Sequence, residues 1–123
     1  MFKTNTDTLE LTGKSGKKYI FKMCEYDTME AIDKACEQFT SSGLYVFARR
    51  YTKQGDTRDW YTLKYVGETE DYSQRNYNNH HKKKEIVAEK CNAWGYCTLS
   101  VSDDKRKEIE ADIIANYQLP CNG

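Results

Sequence analysis

"GLYVFARRYTKQGDTRDWYTLKYVG", Gly43 to Gly67, holds two runs of β-branched and aromatic residues on either side of a polar Gln-Gly-Asp segment. Such runs favour a pleated, half-buried backbone, and the segment between them carries the residues that reverse a chain. The stretch predicts an antiparallel hairpin. Pairing about Gly55 sets Tyr45 opposite Tyr65, Phe47 opposite Leu63 and Arg49 opposite Tyr61. Directly opposite residues share a face, so this register brings the two tyrosines side by side.

Working outward, "LELTGKSGKKYIFKM" (9–23) predicts another hairpin around a Gly-Lys-Ser-Gly turn. Its Gly-Lys-Ser is no phosphate loop, because that loop needs a glycine five residues before Gly13 and Thr8 stands there. Ile32, Ala35, Cys36 and Phe39 repeat at helical spacing, giving a short helix that Ser41, Ser42 and Gly43 end. Downstream, Asp71 is placed to cap a helix carrying Tyr72, Arg75, Asn76 and Asn79. "KKKEIVAEKC" (82–91) reads as a further helix, with a bend at the histidines, and "WGYCTLSV" (94–101) as a third strand. Ser102 starts a last helix, with Asp103 and Asp104 well placed in its first turn. "QLPCNG" (118–123) closes the chain in extended form.

The 123 residues suit one domain with one modest core. No run of eighteen apolar residues occurs, and the N-terminus lacks the pattern of a secretion signal, which predicts a cytoplasmic protein. Five cysteines, an odd number without a Cys-x-x-Cys pair, argue against a disulfide framework and a zinc knuckle; buried or half-buried thiols are expected. Basic and acidic side chains balance at 19 each, which argues against a strongly basic nucleic-acid clamp but leaves room for local patches.

The last helix carries an anomaly. At about 100° per residue, with Ile109 at zero, Ile113 falls near ~40°, Tyr117 near ~80° and Ile114 near ~140°. Glu110, at roughly 100°, lies inside that apolar arc. A buried carboxylate is costly unless it is paired or holds a cation. Two readings stand: a core-edge glutamate reaching an arginine or a backbone amide, or a functional carboxylate.

"GLY" at 43–45, "YVG" at 65–67, Arg75, "NHH" at 79–81, Glu110 on a late helix and a terminal "PCN" at 120–122 occur in this order. That set resembles the ordered motifs of the GIY-YIG nuclease superfamily, especially its small single-domain prokaryotic and phage members. The likeness runs from Gly43 to Asn122. It implies an α+β fold with a three-stranded antiparallel sheet flanked by helices. Residues 43–123 would form the nuclease core, and 1–42 a hairpin-helix extension. It also implies a metal-dependent endonuclease that hydrolyses DNA phosphodiesters with one Mg²⁺ or Mn²⁺. On this likeness Glu110 is the metal ligand, holding a hard cation largely through waters. Arg75 clamps the scissile phosphate. Tyr45 and Tyr65 are the paired tyrosines, one of which serves as base toward the attacking water. His80 assists the proton, Asn122 braces the site, and Gly43 and Gly67 shape the strand ends.

The departures are specific. The first motif reads Gly-Leu-Tyr, and the hairpin is longer than in many members, carrying Arg49, Arg50, Lys53 and Arg58. Arg49, Arg50 and Lys53, with Lys82, Lys83 and Lys84, are candidate contacts to the DNA backbone. Glu68 stands where some members have a lysine. The histidine position, four residues after Arg75, holds Asn79, with His80 one further on. The alternative function is a catalytically inactive DNA-structure-binding module on the same fold. A protein-interaction domain is a third reading, drawn from zero net charge and ten tyrosines. Double-strand cleavage would call for a homo-oligomer or a partner protein.

Overall fold

The computed structural model describes residues 2–26, 29–37, 40–52, 59–74 and 80–122. Along the chain come β1 (Phe2–Thr12), β2 (Lys18–Tyr26), α1 (Met29–Cys36), β3 (Gly43–Thr52) and β4 (Asp59–Thr69). A 3₁₀ turn (Tyr72–Gln74), α2 (Lys83–Ala88), β5 (Ala93–Thr98) and α3 (Asp103–Ile114) follow. The strands form one antiparallel sheet in the order β1-β2-β5-β3-β4. The class is α+β, as expected, but the sheet has five strands rather than three.

The reason lies in β5. Ala93, Trp94 and Gly95 are all buried, so the strand needs neighbours on both sides. It takes β3 on one side and the N-terminal hairpin on the other. At Gly95 a Cβ would run into the Met23 sulfur and come within 3.1 Å of Val46 Cγ2, so side chains of both flanking strands close tightly over it on one face. The hairpin is therefore part of the central sheet.

Strand alternation divides the molecule into two layers. Leu44, Val46, Ala48 and Val66 face one way and pack with Phe21, Met23, Ile109 and Ile113. Tyr45, Phe47, Tyr65 and Trp94 face the other way and pack with Ile32, Cys36, Tyr72, Ile86 and Cys121. Helix α3 thus covers one face, and α1 and α2 the other. Ser102 caps α3 by accepting from the Lys105 amide at 3.2 Å, and Ile109 and Ile113 are buried as the wheel requires. In α1, Ile32 and Cys36 are buried; Phe39 lies outside the described residues.

The register differs from simple symmetry about Gly55. Tyr45 pairs with Gly67 and Phe47 with Tyr65; after an irregularity at Phe47/Ala48, Arg49 pairs with Thr62. Up to Phe47 the offset is two residues, which keeps those side chains on their expected faces; beyond the irregularity it is one. The tyrosines become diagonal neighbours, with ring centroids 5.9 Å apart. The tail is also corrected. Asn122 N donates to Leu119 O at 3.1 Å, so the chain ends in a turn rather than extended. No cysteine is in a disulfide, and burial pushes the Cys36 and Cys91 thiols up to about 12. No described helix is long and apolar enough to cross a membrane.

Candidate functional site

Gly67 creates the space from which the site is built. Opposite it, Tyr45 lays its ring across the missing side chain: a Cβ on Gly67 would stand 2.5 Å from Tyr45 Cζ. In that position Tyr45 Oη meets His80 Nε2 at 2.8 Å, in a buried contact. The other ring nitrogen fixes the sense of this bond. Lys82 N donates to His80 Nδ1 at 3.0 Å, so Nδ1 is the bare nitrogen and the ring proton sits on Nε2. Nε2–H therefore donates to the tyrosine oxygen. Tyr45 is an acceptor here, an arrangement that favours developing negative charge on Oη.

Three further groups complete the cluster. The Tyr65 ring stands edge-on to His80, with centroids 5.0 Å apart. His81, exposed, stacks on His80 at 4.8 Å. Asn122 grips the strand between the two motif residues: its Oδ1 accepts from Val66 N and its Nδ2 donates to Val66 O, both at 2.9 Å. Cys121 N adds a bond to Lys64 O at 3.0 Å. The terminal turn thus clamps the open edge of β4 beside Tyr65 and Gly67. Gly43 has a separate task. A side chain there would collide with the Tyr72 hydroxyl, which donates to Leu44 O at 2.7 Å and points at Cys97 O at 3.1 Å.

The structure brings together Tyr45, Tyr65, His80, Gly67 and Asn122. Glu110 stands apart from them. It is half-buried on α3, the helix that packs on the opposite face of the sheet. Among the described residues, no three His, Cys, Asp or Glu side chains converge to hold a metal. Arg75, Asn79, Lys53 and Arg58 lie outside the described residues. Most of the helix expected after Asp71, residues 75–79, lies outside the described residues; before it, Tyr72–Gln74 form a 3₁₀ turn, where Asp71 Oδ1 accepts from Ser73 N at 2.9 Å and Ser73 Oγ at 2.6 Å. Arg49 is exposed, whereas Arg50 pairs with Glu25. Lys82 is half-buried and contributes its backbone to His80; Lys83 and Lys84 are exposed at the start of α2.

One charged residue escaped the sequence reading. Arg106 is 2% exposed; its Nε donates to Glu68 at 2.6 Å and its Nη2 to Asp103 at 2.8 Å. The signal was present on the wheel, where Arg106 falls near ~60°, between Ile113 and Tyr117. The glutamate that departs from the motif after Gly67 is the partner that α3 uses to anchor to β4. Comparison of the chain with protein-family models, curated proteins and solved structures finds no match.

Proposed function

We propose that the protein is an endonuclease that hydrolyses DNA phosphodiesters with one Mg²⁺ or Mn²⁺. The observation that carries this reading is the buried Tyr45–His80 hydrogen bond beside Tyr65, Gly67 and Asn122, which joins motif residues from positions 45 to 122. A tyrosine of ordinary acidity, near ~10, is a poor base at neutral pH. The proton that His80 Nε2 directs at Oη works toward the phenolate, against the burial of Tyr45, which disfavours it. Acting as the phenolate, its own proton already lost to solvent, Tyr45 Oη takes the proton of the attacking water as that oxygen bonds to phosphorus. The bond from phosphorus to the sugar oxygen breaks, and the departing oxygen takes a proton from solvent. Asn122 holds Tyr65 and Gly67 in register while this happens. Arg75 is assigned to the non-bridging oxygens, where a planar guanidinium suits two at once. Glu110 supplies a half-buried carboxylate whose oxygens suit a hydrated hard cation. Such a cation would supply charge to offset that developing on a phosphate, but Glu110 stands behind the sheet from Tyr45, so no step at Oη is routed through it.

The position of Glu110 behind the sheet favours the second reading, a DNA-structure-binding module without catalysis. Nicking of supercoiled plasmid separates the two. The nuclease reading expects nicking with Mg²⁺, none with chelator, and none from Glu110→Gln with its fold intact. Losing one essential group costs at least ~2–4 kcal/mol of transition-state stabilisation. Glu110→Gln nicking at the wild-type rate would remove the metal assignment, and a wild-type chain that binds DNA without ever nicking it would support the second reading.

A further inference from the structure

On the nuclease reading, a DNA strand must reach the Tyr45 cluster. On the face that carries Tyr45, the sheet continues past the cluster. Tyr45 pairs directly with Tyr96 on β5, and Tyr96 with Lys22 on β2. Directly paired residues share a face, so Lys22, Tyr96, Tyr45 and Gly67 form one row across four strands. At about 4.8 Å per strand, Lys22 stands roughly 10 Å from Tyr45 at the backbone. Two and four residues back along β2, Ile20 and Lys18 lie on the same face. Ile20 is 58% exposed, and Lys18, Lys22 and Thr98 are exposed as well. The helices on this face cover its other half, around Tyr26, Ile32, Cys36, Trp94 and Ile86.

We infer that this uncovered half of the sheet is a docking track for single-stranded DNA, leading to Tyr45. Tyr96 supplies the stacking platform. The ring is half-buried and held against Trp94, with centroids 5.4 Å apart. Lys22 and Lys18 supply the charge. Residues 13–23 contain four lysines and no acidic residue, a local excess in a chain of zero net charge. Lys18 meets Glu10 at 3.7 Å with both side chains largely exposed, a weak pairing that a phosphate can replace. An aromatic ring and an exposed isoleucine, flanked by lysines, match bases that offer their faces and phosphates that run alongside. A duplex hides those base faces.

The test uses the full chain in chelator, with fluorescein-labelled oligothymidylate of roughly twelve nucleotides and a duplex of equal length. Lys18→Ala/Lys22→Ala should weaken single-strand binding and lower the log–log salt slope by about 1.4, from roughly 0.7 per phosphate. Tyr96→Leu should weaken it about tenfold and Tyr96→Phe should not, because only the ring stacks. The lysines are exposed, so their variant keeps its fold whatever Tyr96→Leu does to packing. An unchanged slope and affinity in the double lysine variant overturns the inference. So does an equal loss on the duplex, or competition by polyglutamate as strong as by oligothymidylate. Cleavage is not needed for this measurement. A chain that binds through this face but never nicks contradicts the nuclease reading alone, and one that nicks while these variants bind normally contradicts the track alone.

Discussion

A methyl group on Gly67 would stand 2.6 Å from the Tyr45 oxygen, so Gly67→Ala must displace the ring that reaches His80. Overpacking of this kind costs about 1–3 kcal/mol. The expected outcome is modest destabilisation in urea unfolding with a disproportionate loss of nicking; an unchanged rate would detach Gly67 from the site. The thiols make a second case at this scale. Burial comes first among the causes that raise Cys36 and Cys91 to about 12. The fold favours their neutral form, so this contribution is fully present below the ordinary thiol value, near ~8.5, and is lost as pH rises toward the folded value. At pH 8 native Cys36 and Cys91 should resist iodoacetamide, while denatured chains react at all five cysteines; mass spectrometry reads the difference. The sequence singled out Tyr45, Gly67 and Asn122 through the resemblance, with His80 one place beyond the expected histidine position. It did not show how they act. That Nε2 carries the proton follows from the Lys82 amide, a backbone detail that side-chain identity does not specify.

At the scale of elements, α3 is held at both of its ends. Near the start, Arg106 ties it to Glu68 on β4. Removing one partner of a buried pair leaves the other charge unpaired, so Arg106→Met should cost about 3 kcal/mol, and adding Glu68→Leu should recover part of that. Denaturant unfolding of the single and double variants checks it. Toward its end, Asp112 accepts from Ser15 Oγ at 2.7 Å and Ser15 N at 2.9 Å, so the Gly-Lys-Ser-Gly turn grips a carboxylate of its own chain. These bonds, the hydroxyl first, hold the Asp112 carboxyl below its ordinary value. A depressed carboxylate stabilises above its unfolded value and loses that effect as pH falls through the folded one. Asp112→Asn should therefore flatten the loss of stability below about pH 4. The elements themselves were largely legible: β3, β4, α1 and α3 follow from periodicity and caps. Their register was not, because the irregularity at Phe47/Ala48 leaves no mark in the alternation.

For the molecule as a whole, the N-terminal hairpin decides the architecture. It reads locally as an independent unit, yet β2 pairs with β5 from Lys22 to Glu25 and completes the sheet. Deleting residues 1–26 should expose the edge of β5 together with Phe21's and Met23's packing partners, and leave no folded core by circular dichroism; a stable truncated domain would contradict the five-stranded account. Strand content was visible in the sequence, but strand order was not, since pairing between residues so far apart depends on which faces must be buried. The same limit applies to Glu110. The wheel marks it as unusual, and only the sheet reveals that α3 lies across from the tyrosine–histidine pair. The central claim is that Tyr45, held as an acceptor by His80, takes the proton from the attacking water. The single-turnover nicking rate of Tyr45→Phe, at saturating protein and with Mg²⁺, tests it most directly. The account predicts a fall of about 10²–10⁴-fold with DNA affinity nearly unchanged; a wild-type rate would contradict it.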